Sequence, residues 1–440
     1  MACQKFTQPF TRTQPRTHTQ KSGYGFLAAI LDGLDDQPLL DALQQYRRTG
    51  RKGHPLRAMW RACLAKFLLK IRFNNQLLER LRGSRQLREV CGFGSDVPSE
   101  SALSRFVSRL AAHQDLIEQC LVKATEELRE LVPAVKQREG KQDQPLPPLG
   151  AVLAVDSTCI GSYSNPNRKT VSDPDARWGL KHSAKAKDGK QEWCFGYKMH
   201  LVSDATHGVP LAFIITPANE NDSTQLPAVV RKALKAYPWI EPGCLLADRG
   251  YDSLANHKFL FRREIIPVIH IRKPTAADGL YDGIYTAEGK PACLGGEPMD
   301  YVRTDPDTGA HLFRCPAEGC PLKTAGTKAA RHCDTEVWEE PEANLRVLGP
   351  LPRFTEAWKR LYRQRMSIER IYRSLKHSRG LEGHCVRGMR KITLHATLSA
   401  LTYQATMLAV SYTHLRAHET DSYLVCRLLL EKKKTLKKLD

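Results

Sequence analysis

The sequence predicts an α/β catalytic core preceded by an all-helical region, and three observations carry that expectation. Residues 25 to 135 place apolar side chains at helical spacing, residues 151 to 272 switch to short apolar runs of strand length, and a strongly amphipathic stretch, Trp358 to Lys376, follows a long interruption. At 440 residues the chain can bury more than one core. Its 67 Lys and Arg against 47 Asp and Glu give +20, spread along the sequence. Such an excess favours a polyanionic partner, most simply nucleic acid.

Taken in order, residues 1 to 24 have no apolar run of the secretory type and read as a flexible lead-in. Between 25 and 135, LLDALQQYRR, LRAMWRACLAKFLLKIRF, NQLLERLRGSRQLREVCGF and LIEQCLVKATEELRELV carry the helical period. Ser99 or Ser101 is placed to cap ALSRFVSRLAA, with Arg105 and Arg109 on one side. The arrangement fits a helix-turn-helix DNA-binding and dimerisation domain, and fits a plain helical interaction domain equally well. Residues 136 to 150, KQREGKQDQPLPPLG, read as a linker.

From 151 the period changes. AVLAVDST is a short apolar strand ending in Asp156, a carboxylate that needs solvent or a cation at such a place. SDPDARWGLKHSAKAKDGKQ reads as a polar, mobile loop; WCFGYKMHLVSD and VPLAFIITP pair about the DATHG turn. NENDSTQLPAVVRKALKAY is a helix with Asp222 near its start, GCLLADRGYDS repeats the strand-then-acid pattern at Asp248, and IIPVIHIR is a fifth strand. This order is that of a ribonuclease H-like core, whose first and fourth strands are neighbours, so that Asp156 and Asp248 approach at their ends. Read as one helix, Trp358 to Lys376 brings Tyr362, Arg365, Glu369 and Lys376 within an arc of roughly 60°, beside a stripe of Trp358, Leu361, Ile368, Ile371 and Leu375. Alone, Arg365 and Glu369 also fit an ordinary i,i+4 pair on a solvated helix. With Asp156 and Asp248, however, Glu369 completes a cluster of three carboxylates that requires cations, and hard oxygen ligands suit two Mg²⁺ or Mn²⁺ ions.

Residues 273 to 350 are polar and rich in Gly and Pro. They hold Cys293, Cys315, Cys320 and Cys333, with His332 beside the last; the set suits either a structural zinc or free thiols in a flexible insertion. Thirteen scattered cysteines suit a reducing cytoplasm. Ile392 to Val410, broken by His395 and Gln404, reads as a buried helix rather than a membrane span. After Val410 the character changes abruptly. SYTHLRAHET and YLVCRLLLEKKK, turned back into codons, resemble adapters of a short-read sequencing library, so residues 411 to 440 are expected to be foreign and to pack on nothing. That stretch carries seven basic and four acidic residues, and the remainder keeps +17.

AVDST, FGYKMHLVSD, ANENDSTQL, LLADRGYDS and the run Y-x2-R-x3-E-x6-K together resemble the DDE transposases of bacterial insertion sequences, in the subgroup marked by a Tyr-Arg-Glu-Lys motif. The similarity covers about 150 to 272 and 354 to 410, and the helical region containing SESALSRF resembles the usual leader of these enzymes. It implies Asp156, Asp248 and Glu369 as catalytic metal ligands, with Tyr362, Arg365 and Lys376 on the backbone of the transposon end. Lys198, His200 and Asp222 recur in the pattern as secondary residues, though strand and cap positions account for them too. The implied organisation is a helical domain at 25 to 135, a ribonuclease H-like core at 151 to 272 and 351 to 410, and the insertion at 273 to 350. The implied activity is Mg²⁺-dependent nicking of the terminal inverted repeats and joining of the freed 3′-hydroxyls to target DNA, by a homodimer assembled on DNA at the bacterial nucleoid, with no membrane partner. Two alternatives are a DNA-binding regulator that has lost catalysis and a ribonuclease H-like nuclease acting on other structures.

Overall fold

The protein is described by a computed structural model covering residues 23–45, 53–139, 146–181, 192–273, 280–286, 288–316 and 336–436, with the side chains of 137–139, 181 and 415–436 outside that description. It divides into two compact units. One holds residues 1–139, 375–386 and 394–440; the other holds 140–374 and 387–393.

The first unit opens with seven helices: α1 (Gly25–Asp32), α2 (Gln37–Gln45), α3 (Leu56–Leu68), α4 (Asn74–Gly83), α5 (Arg85–Cys91), α6 (Glu100–Leu110) and α7 (Gln114–Glu139). Their apolar stripes meet around Trp60, Leu64, Leu77, Leu81, Leu103 and Leu110, all buried. The run expected as one helix from Asn75 to Phe93 is two. Ser84 takes an extended backbone that ends α4, and its Oγ accepts the Leu87 N–H at 3.2 Å to cap α5. Ser99, not Ser101, caps α6, accepting from the Ala102 N–H at 3.2 Å. Helix α7 continues past Pro133 to Glu139, into the stretch expected as linker.

The long helix α12 (Met389–Leu436) joins this unit from residue 394. It buries Leu394, Leu398, Leu401 and Leu408, as expected for a buried helix. Its polar interruptions have partners on α7: Gln114 donates to Thr397 Oγ1 at 2.5 Å and Gln404 donates to Thr125 Oγ1 at 2.8 Å. Among the described residues no helix is long and apolar enough to cross a membrane. The expectation that nothing after Val410 packs is corrected at its first residues. The helix runs on unbroken, Ser411 is buried, and the Tyr412 hydroxyl donates to Glu127 Oε2 at 3.3 Å.

The second unit is built on a six-stranded sheet: β1 (Val152–Gly161), β2 (Arg177–Lys181), β3 (Glu192–Asp204), β4 (Val209–Pro217), β5 (Cys244–Ala247) and β6 (Ile266–Ile269). β4, β3 and β1 pair antiparallel; β1, β5 and β6 pair parallel. Helix α8 (Asp222–Ala236) links β4 to β5, and α9 (Leu254–Phe261) links β5 to β6. The cap of α8 is Asn221, which accepts from Ser223 N–H at 2.9 Å, and Asp222 is the first helical residue. The loop expected to be mobile contains β2, which pairs with the first residues of β3, Trp178 opposite Phe195. Gly179 permits this: a Cβ there would stand 2.0 Å from the Ala218 carbonyl oxygen.

The insertion is also more ordered than its composition suggests. β7 (Asp300–Thr304), β8 (His311–Arg314) and β9 (Glu336–Glu339) form an antiparallel sheet, and Tyr281, Tyr285, Met299, Phe313, Val347 and Leu348 bury a small core with Ile271. After it, Trp358 to Lys376 is not one helix. α10 (Glu356–Arg363) and α11 (Met366–Ser378) are separated by a tight turn in which Gln364 and Arg365 N–H groups bond three residues back, to Leu361 and Tyr362, at 2.9 and 3.0 Å. Such a turn has three residues per revolution rather than 3.6, so it rotates α11 out of phase with α10.

Candidate active site

β1 and β5 are paired through Val155 and Ala247, and the next residue on each is Asp156 and Asp248. The two acids therefore stand at the same carboxyl end of parallel strands about 4.8 Å apart, the edge where open α/β sheets place their ligands. Each is tied by one oxygen to its own backbone. Asp156 Oδ1 accepts the Ser157 N–H and Asp248 Oδ1 accepts the Gly250 N–H, both at 2.8 Å. A Cβ at position 250 would lie 2.9 Å from that Asp248 oxygen, so the glycine keeps the carboxylate in place.

Burial, and then the charge of Asp248, push the Asp156 carboxyl up to about 7; the Ser157 N–H and Arg365 oppose this, and Glu369 adds to it. The cation at hand is Arg365. Its Nη2 donates to Glu369 Oε1 at 2.6 Å and its Nη1 lies 3.5 Å from Asp156 Oδ2, so one guanidinium stands between the strand acid and the helix acid. Tyr362, on α10, is stacked on Trp358 (centroids 4.9 Å, planes 8° apart) and meets the edge of His270 at 4.2 Å; Arg365 Cζ lies 5.8 Å from its ring. Burial raises the Tyr362 phenol, and burial with Arg249, Arg353 and Arg365 lowers the pKa of His270.

The fold thus brings Asp156, Asp248, Tyr362, Arg365 and Glu369 together. Lys376 belongs to the other unit, where its Nζ pairs with Glu382 Oε1 at 2.6 Å. Lys198 and His200 lie on β3 opposite Cys159 and Ser157. Lys198 Nζ donates to the Glu220 carbonyl (2.9 Å) and Asp222 Oδ1 (3.0 Å), while His200 Nε2 lies 2.9 Å from Thr216 Oγ1 and burial takes its pKa down to about 4.

One residue of the site escaped the sequence reading. The Tyr372 hydroxyl lies 2.7 Å from the Asp156 carbonyl oxygen and 3.0 Å from that of Met199, so its single proton ties α11 to the acid-bearing strand. Its position four residues after Ile368, on the apolar stripe, was the available signal, because a buried phenol requires a partner.

Among the described residues no three His, Cys, Asp or Glu side chains stand close enough to hold a metal ion as they lie. The donor chemistry nonetheless fits a divalent cation: three carboxylates, one of them largely buried and raised in pKa by its surroundings and a second carboxylate, with a guanidinium lying between two of them. For zinc, Cys315 is buried in the insertion's apolar cluster and Cys293 packs against the same cluster. Cys320, His332 and Cys333 lie outside the described residues.

Three family models match the chain: a transposase DDE domain over residues 147–298, a second transposase DDE domain over 293–407, and a transposase domain (DUF772) over 10–109. A Burkholderia cepacia protein named as the transposase of insertion sequence element IS402 is 42% identical over 90 residues, 19% of this chain and 42% of that protein. The match therefore spans less than half of that relative. Two solved structures are loosely similar: the piggyBac transposase synaptic complex with hairpin DNA (TM-score 0.40, 11% identity, 90% of this chain and 75% of the other) and the Mos1 transposase paired-end complex with left transposon end (0.17, 13%, 52% and 66%).

Proposed function

For a chain that belongs to the DDE transposases of bacterial insertion sequences, we propose that it binds the terminal inverted repeats of its own element, nicks them and joins the freed ends to target DNA. The observation that carries this reading is the pair Asp156 and Asp248 at one edge of parallel strands, joined to Glu369 through Arg365. The strand order β4-β3-β1-β5-β6 with β5 and β6 parallel to β1 supports a ribonuclease H-like core.

Asp156, Asp248 and Glu369 would hold two Mg²⁺ or Mn²⁺ ions. Such ions, when bound, supply activation of a water or 3′-hydroxyl and stabilisation of the leaving oxygen in an in-line displacement. The chain's own residues do the positioning. Strand pairing sets the separation of the two aspartates, and the Gly250 and Ser157 N–H groups fix one oxygen of each. Arg365, which lies between Asp156 and Glu369 here, would offer a planar fork to a backbone phosphate if cations neutralised those carboxylates. Tyr362, clamped between Trp358 and His270, presents a neutral phenol as a further donor. Lys376, two turns beyond Glu369 on α11, supplies a second cation for the same strand. The net charge of +20 supports a DNA partner, and two ends require two active sites, hence a dimer on DNA in the bacterial cytoplasm. The pattern Tyr362, Arg365, Glu369, Lys376 supports reading the chain as one of the Tyr-Arg-Glu-Lys subgroup.

The test is strand cleavage and joining on a labelled duplex bearing the element's own ends, with Mg²⁺ or EDTA, for the unaltered chain and Glu369→Gln. The expected result is Mg²⁺-dependent 3′-end nicking and joining that falls by at least about 10³-fold in the variant, the scale of removing one preorganised charge from a reaction centre, with end binding retained. Equal binding with no cleavage by either protein would leave a DNA-binding regulator; cleavage without dependence on the ends would leave a nuclease.

A further inference from the structure

The loop that carries Asp248 is gripped from outside the sheet by the insertion. Four residues after Asp248, the Asp252 side chain is fully buried, and its carboxylate accepts from Arg346, 94 residues away: Nε to Oδ1 at 3.1 Å and to Oδ2 at 3.2 Å, Nη2 to Oδ2 at 2.9 Å. The Arg272 N–H donates to the same Oδ2 at 2.8 Å. The Arg272 guanidinium donates to the carbonyls of Gly250 (3.2 Å) and Arg249 (3.4 Å), the residues between the two aspartates. His257 Nε2 stands 3.4 Å from Oδ1.

The grip is itself braced from the insertion side. Arg353 donates to the Arg346 carbonyl at 3.0 and 2.7 Å and to that of Val347. The Tyr281 hydroxyl donates to the Arg272 carbonyl, and Arg346 Cζ lies 5.7 Å from the Tyr281 ring. Val347 and Leu348, next to Arg346, belong to the insertion's own apolar core. A bidentate guanidinium on a fully buried carboxylate has one geometry, so the Asp248-to-Asp252 turn cannot shift without breaking it.

The geometry points to Arg346 as a positioning residue: through Asp252 the insertion fixes the turn that presents Asp248, and so sets the affinity of the three-acid site for divalent cations. This rests on reading Asp248 as a metal ligand. The insertion is in this sense part of the reaction centre's support.

The experiment titrates the full chain with Mn²⁺ by calorimetry, for the unaltered protein, Arg346→Met, Arg346→Lys, and the double variant Asp252→Leu with Arg346→Met. The double variant replaces the buried ion pair by apolar volume, a change that generally preserves folding where the single change leaves an unpaired buried charge. The clamp predicts an Mn²⁺ dissociation constant raised by about 10-fold or more in the double variant, the scale seen when groups that orient metal ligands are removed, a smaller rise in Arg346→Lys, and DNA-end binding unchanged within about twofold. Unchanged Mn²⁺ affinity in a folded double variant overturns the proposal. If the unaltered chain binds no Mn²⁺, the metal-ligand reading of Asp248 fails first, and the clamp with it.

Discussion

The two strand acids and the helix acid reach the same place by opposite means. Asp156 is four-fifths buried, on a strand locked between two neighbours, and its surroundings resist its charge. Glu369 is half exposed, on a helix that begins after a tight turn, and is held by one arginine in an i,i+4 pair. The sheet therefore concentrates charge at a cost in stability, while the helix brings a half-exposed carboxylate paired with Arg365.

Three variants sharpen that contrast, in order of expected effect on stability. Asp156→Asn has the largest effect. Its folded pKa lies above the ordinary aspartate range, so the folded state keeps its full stability below about pH 4 and loses it as pH rises through about 7. A rise from the ordinary aspartate range to about 7 corresponds to at most about 4 kcal/mol. Scanning calorimetry in EDTA should show Asp156→Asn melting higher than the unaltered chain at pH 8 and alike at pH 4; identical melting at pH 8 would place Asp156 in water and remove the contrast. Next, Tyr372→Phe cuts the hydroxyl between α11 and the carbonyls of Asp156 and Met199. Urea unfolding should register a loss of about 1 kcal/mol, with nicking reduced because the helix acid loses its tie to the strand. Smallest is Glu369→Gln, which removes an exposed i,i+4 pair and should change stability by only about 0.3–0.5 kcal/mol while abolishing nicking. A large stability change there would mean that Glu369 is as embedded as Asp156.

The elements easiest to read were those fixed by local pattern. AVLAVDST and CLLADRG announce strand ends at Asp156 and Asp248 because an apolar run of strand length cannot place a carboxylate except at an edge. Ser99 capped its helix by the same local logic. The break between α10 and α11 left no such sign: Gln364 and Arg365 are good helix formers, and only the packing of Trp358 and Tyr362 on His270 shows where α10 is held. β2 was missed because a five-residue edge strand depends on a partner across the intervening polar loop, and the sheet within the insertion because Phe313 joins Ile271 and Phe354 in one apolar cluster, residues no local window contains.

What the sequence determined by itself was the inventory and its order: three acids, a phenol and cations beside the third, helices before and a Cys-containing insertion between. Those follow from period, turn residues and charge, which are properties of neighbours in the chain. Only the tertiary structure decided that Val155 and Ala247 are the last paired residues before the two acids, that Arg365 lies between Asp156 and Glu369 while Lys376 pairs with Glu382 in the other unit, and that Arg346 closes on Asp252. The reason is physical. Register, desolvation and bidentate pairing depend on groups tens to hundreds of residues apart, and their energies exist only once the sheet has formed.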